Sequence, residues 1–155
     1  MEDDTRDGEY QLIAQELVRE SLSSQGIARL RVISDSMAPL INVDDFVIIE
    51  RPPLQVYRCG DIVVIDRNEE LITHRLVRLG VEKWYTKGDR FHALDEPISA
   101  DDLLGKVIEI ESHDNHLNLM CRKWRRINRI RGWLANIEVE IYRSARWIRR
   151  NIFQL

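Results

Sequence analysis

A serine, a histidine and a pair of aspartates, in that chain order, are the residues of this sequence that could do chemistry together. Ser36 lies in "VISDSMAPLI" (32–41), a polar cluster between apolar flanks. A serine hydroxyl is a weak nucleophile and needs a base within hydrogen-bond reach. Four histidines are available. His113 and His116 flank the acidic turn "SHDNH" and give only a weak metal signal, and His92 lies in a polar loop. His74 differs. It falls in the alternating stretch "ELITHRLVRL" (70–79), on the side of Ile72 and Leu76, where solvent is partly excluded. "KGDRFHALDEP" (87–97) then supplies Asp89 and Asp95. A carboxylate bonded to an imidazole fixes its tautomer and stabilises the imidazolium formed when the base takes the serine proton. Taken singly, each piece has an ordinary explanation. Such a serine closes a turn, a strand histidine finds a backbone partner, and aspartates after glycine form turns. Together they permit acyl transfer by a triad.

The elements that must hold these residues are short. "EYQLIAQELVRESLS" (9–23) spaces Leu12, Ile13, Leu17 and Leu22 as an amphipathic helix does, and Gly26 is its stop. "IARLRVI" (27–33) reads as a strand entering the serine turn. Strands follow at 46–50, 61–66, 70–79 and 82–89, then at 103–111 and 116–121. Many short strands separated by turns predict a mainly β domain with an antiparallel, coiled or barrel-like sheet. The chain divides into an N-terminal helix (1–26), a β domain (27–121) and a helical tail (122–155).

The tail is chemically distinct. Residues 1–121 carry 13 Lys/Arg and 24 Asp/Glu, whereas residues 122–155 carry 10 and 2. Trp124, Ile127, Ile130, Ile137, Ile141 and Ile152 recur there at helical spacing between arginines, and Gly132 or Asn136 is expected to break the tail into two helices. Such a segment fits a membrane surface, a partner protein or the chain's own β domain; nucleic acid ranks last, because no base-reading motif accompanies the charge. No apolar run approaches the roughly 20 residues that cross a bilayer. The start is acidic and polar rather than a secretory signal, so a cytoplasmic location is expected, with the tail peripheral on the inner face of the membrane. Cys59 and Cys121 lack metal-type spacing and read as free thiols.

Five segments in order carry a family resemblance: "SDSMAPLINVDDFVII", "YRCGDIVVI", "THRLVRL", "YTKGDRFHALDEP" and "LLGKVIEI". Across roughly residues 30–110 the chain resembles the clan of type I signal peptidases and LexA-type serine proteases. The resemblance implies that Ser36 is the nucleophile. Most bacterial signal peptidases and the self-cleaving repressors place a lysine base where this chain has His74, so it is more similar to the archaeal and endoplasmic-reticulum subgroup, which uses a serine–histidine pair. It implies that Asp95 orients His74 while Asp89 supports the structure. It places the oxyanion on the Ser36 N–H and the Ser34 hydroxyl, and has Met37 and Pro39 shape the serine turn and substrate groove. Gly60 and Asp61 would form the turn into a core strand. No cofactor or metal is implied.

Two departures stand out. Asp35 occupies a position where the family often has glycine, and its carboxylate opposes charge developing on the oxyanion unless it points away or pairs with an arginine. No segment of this sequence has the length and apolarity of the membrane anchors that signal peptidases carry. The expected function is therefore a serine endopeptidase that processes a peptide or protein leader, with loss of activity in acid as His74 takes up a proton. Self-cleavage is less expected, because 35 residues precede Ser36 and no Ala-Gly or Cys-Gly bond lies among them. A catalytically weak peptide-binding module is the other alternative, resting on Asp35.

Overall fold

The structure is a computed structural model that describes residues 3–152 apart from positions 69 and 114. Helix α1 (Asp3–Gln25) leads into strand β1 (Ile27–Arg31), then β2 (Phe46–Glu50), β3 (Ile62–Arg67), β4 (Glu70–Leu79), β5 (Trp84–Lys87), β6 (Leu103–Ser112), β7 (Asn115–Asn118) and helix α2 (Arg122–Ile152). The seven strands form one sheet in the order β1-β2-β6-β3-β4-β5, with β7 also paired to β6, and every pairing is antiparallel. The mainly β architecture expected from the sequence is the one observed. Register shifts at Ile48/Ile49, Val64/Ile65 and Leu76/Arg78 coil the sheet.

Strand β3 reads "IVVI" without alternation because both of its faces are covered. Ile62 and Val64 join Val47, Ile49, Val107 and Ile110 in one apolar cluster, which Val18 and Leu22 of α1 complete. Val63 and Ile65 join Tyr57, Leu76, Trp84 and Ile98 in a second, with Ile72 against it. The alternation that puts Ile72 and Leu76 on that side includes His74, whose register partner is Val63.

Both helices differ from expectation in their buried faces. In α1 the domain covers Gln15, Val18 and Leu22, while Leu12, Ile13 and Leu17 are exposed. Helix α1 packs on β1 and β6, and periodicity alone does not say which apolar stripe meets them. Gly26 ends it, at φ +72° with its N–H bonded to the Leu22 carbonyl. The tail is one continuous helix, not two. Gly132 does not break it; it lets α2 cross the turn before β3. A Cβ on Gly132 would sit 2.6 Å from Gly60 Cα, and one on Gly60 would sit 2.1 Å from the Asn128 carbonyl oxygen. Backbone meets backbone there, and only paired glycines allow it.

Candidate active site

Ser36 is held by a turn fixed at three points. At its base, Val32 and Asp44/Asp45 exchange backbone hydrogen bonds (Val32 N–H to Asp45 carbonyl, 2.8 Å; Asp44 N–H to Val32 carbonyl, 2.9 Å). At its centre, Met37 and Ile41 are fully buried in the first cluster, which contributes about 1.5–3 kcal/mol for each side chain. At its tip, the Ser36 carbonyl accepts the Arg90 N–H at 3.0 Å, which ties the turn to the loop after β5. The hydroxyls of Ser34 and Ser36 lie 3.3 Å apart.

His74 is fixed from behind. Asp95 Oδ2 lies 2.6 Å from His74 Nδ1 and accepts a second bond from the Thr86 hydroxyl at 2.7 Å. The Asp95 N–H donates to the Thr86 carbonyl at 2.9 Å, so the carboxylate is set against β5 by its own backbone. Phe91 meets the imidazole edge-on with ring centroids 6.2 Å apart. That leaves Nε2 directed at the serine side. Both groups border Gly88: a Cβ there would lie 2.9 Å from the Ser36 carbonyl oxygen and 3.1 Å from His74 Nε2. Ser36 and His74 are nearly buried and line one cleft of about 330 Å³ together with Ser34, Met37, Leu71 and Phe91. Among the described residues no direct hydrogen bond joins Ser36 to His74, because the serine hydroxyl is turned to Ser34.

Gly88→Ala tests this close approach. The added methyl forces apart the turn and the imidazole, so any turnover that needs both side chains is expected to fall about 10- to 100-fold with little loss of fold. Thermal unfolding together with turnover checks it, and unchanged turnover counts against the geometry.

The other residues singled out in the sequence fall elsewhere. Asp89 does not reach His74. Its two oxygens receive Arg75 Nε and Nη2 at 2.7 Å each, and Arg131 of α2 lies at 3.3 Å. Arg75 is completely buried and also donates to the Gly60 carbonyl and the Asn128 side chain, so Asp89 is the counter-ion of a knot between sheet, loop and α2. Pro39 is exposed, in the serine turn and outside the residues that line this cleft, and its carbonyl accepts from the Asn42 side chain. Asp35 is paired with Arg90. That ion pair meets the condition under which a carboxylate beside the serine is tolerable. Arg90→Ala is expected to lower turnover a few-fold, about 1 kcal/mol of unrelieved repulsion, and Asp35→Asn in the same chain to restore it. If the second change fails to restore turnover, the electrostatic reading is wrong.

Sequence reasoning missed Thr86, Gly88, Arg90 and the part played by α2. Thr86 and Gly88 sit in the quoted "YTKGD" segment, which was signal enough to suspect them. The role of α2 had no such signal. Its Glu138 accepts from Lys87 at 3.1 Å and lies 2.6 Å from His92 Nδ1, while His92 stacks on Tyr142. Burial alone would raise the Glu138 carboxyl, but the bonds from His92 and Lys87 outweigh it and the net direction is down. The stabilisation this anchor gives the 88–95 loop is therefore present above the ordinary glutamate value and is lost as pH falls through the lowered one.

An antiparallel coiled sheet with a core-anchored serine turn packed beside a strand histidine is the frame of a serine peptidase-like domain. A family model described as Peptidase S24-like matches residues 1–87, and the chain belongs to that family. The matched span includes Ser36, His74 and Thr86 and stops before the aspartate loop. No curated protein matches the chain.

Proposed function

We propose that this chain is a serine endopeptidase of the serine–histidine type, acting on a peptide or protein leader. The observation that carries the reading is the juxtaposition at Gly88: the serine turn on one side, and on the other an imidazole whose Nδ1 is held by Asp95. In this mechanism Ser36 Oγ attacks the scissile carbonyl while His74 Nε2 takes its proton. The tetrahedral oxyanion is stabilised by the Ser36 N–H and the Ser34 hydroxyl. His74 then protonates the leaving amine, and a water attacks the acyl-enzyme by the same route in reverse. Asp95 keeps the proton of the neutral imidazole on Nδ1, so that Nε2 is the basic nitrogen.

A fluorophosphonate probe tests the assignment directly. The full chain should be labelled, and Ser36→Ala should not be. Labelling that survives this change would defeat the proposal. Incubation of the purified chain, followed by mass spectrometry, separates processing of other chains from self-cleavage, which would release fragments of the protein itself. The peptide-binding alternative loses its main support once Asp35 is paired with Arg90.

A further inference from the structure

Helix α2 packs on the domain with a face of small residues. Asn128, Gly132, Ala135 and Val139, at i, i+4, i+7 and i+11, are buried there. Over half a turn away, Ile130, Leu134, Ile137, Ile141 and Ile148 form the most apolar stripe of the helix. All five face solvent, with Ile130 58% and Ile141 64% exposed, and Trp133 at their border 63% exposed. From Ile141 to Arg150 every residue is exposed, and the contact that α2 keeps with the domain there, Tyr142 stacked on His92, lies on the side away from the stripe. The stripe runs for about 27 Å along the helix. Contiguous exposed apolar surface of this kind marks an interaction site.

The charges choose the occupant. Arg126 lies one turn from Ile130 and Arg129 one turn from Trp133, and Lys123 precedes them on the same side. The two acids of the helix are turned toward the domain: Glu138 to Lys87 and His92, Glu140 to Arg78. Nothing acidic remains on the outward face among the described residues. A second copy docking stripe to stripe would bring two strongly basic helices together, a repulsive arrangement. No helix of the described residues is long and apolar enough to cross a membrane. An apolar stripe bordered by tryptophan and arginine is instead suited to lying in the plane of an anionic lipid surface, with the rings and aliphatic side chains below the headgroups and the guanidiniums among them.

We infer that the outward face of α2 is an anionic-membrane docking surface that holds the domain at a bilayer without spanning it. This inference is independent of the protease reading, because binding needs no turnover. The test is sedimentation of the full chain with vesicles of pure phosphatidylcholine and of a phosphatidylcholine–phosphatidylglycerol mixture. Partitioning should be at least about tenfold stronger with the anionic vesicles and should weaken as salt rises. A Trp133→Ser/Ile141→Ser variant should lose at least about tenfold in partitioning while circular dichroism shows the fold kept, since both side chains lie on the surface. Ser36→Ala should bind as the unaltered chain does. Equal partitioning to both vesicles, or none to either, would overturn the inference. So would a dimer in analytical ultracentrifugation that the same double variant abolishes, or tight capture of an acidic protein in place of vesicles.

Discussion

Ser36→Ala and His74→Ala are each expected to lower kcat/KM on a cleaved peptide by at least about 10³-fold, and the double variant by no more than either change alone. The reason lies in how the two groups depend on each other. Ser36 has no nucleophilicity of use at neutral pH unless its proton leaves, and His74, which lines the same cleft, is the base in the proposed mechanism. Once either is missing, the other has nothing left to contribute, so their losses do not multiply. Neither change should unfold the chain, because the turn is held by Met37, Ile41 and the backbone bonds at Val32 rather than by the Ser36 hydroxyl. Steady-state kinetics on a peptide found by library profiling makes the measurement. Multiplicative losses would mean that the two residues act separately, and the proposed mechanism would fail.

How far the sequence showed this depended on what kind of contact was involved. Strand β4 was legible to the residue, because alternation in "ELITHRLVRL" is a property of the segment itself. The serine turn was legible because "SDSMAP" is unlike either a buried strand or a plain loop. Helix α1 was legible as a helix but not in its orientation: two stripes compete, and the one that contains Gln15 is covered by the domain. Gly132 carried the opposite meaning to its local propensity. In isolation a glycine in a helix weakens it, but here it is the place where two backbones touch. The links made by Arg75, Glu138 and Arg90 join residues 14 to 55 positions apart. Long-range polar pairs leave no periodic trace, so the sequence leaves open whether α2 meets a membrane, a partner or its own domain, whereas in the structure Arg131 and Glu138 brace the loop that carries Asp95 and Asn128 holds Arg75 behind it.

The two aspartates of that loop give the sharpest contrast, because similar substitutions should fail in different ways. Asp95→Asn should leave the fold nearly intact and lower kcat/KM by about 10²- to 10⁴-fold. His74 Nδ1 and the Thr86 hydroxyl meet the same oxygen, Oδ2, so an amide oxygen in that place keeps both bonds but no longer carries the charge that stabilises the imidazolium. An amide nitrogen in that place makes the Thr86 hydroxyl the acceptor and moves the proton of the neutral imidazole onto Nε2, the wrong nitrogen for a base facing Ser36. Asp89→Asn should do the reverse. It leaves Arg75 buried without its bidentate counter-ion, which costs on the order of 3 kcal/mol of stability, a large share of what a domain of this size possesses. Molecules that remain folded should still turn over, since Asp89 does not touch the imidazole. Urea denaturation with turnover measured per folded molecule separates the two. If Asp89→Asn instead lowers turnover in a fully folded chain and Asp95→Asn does not, then Asp89 is the residue that serves His74, by a rearrangement of the loop.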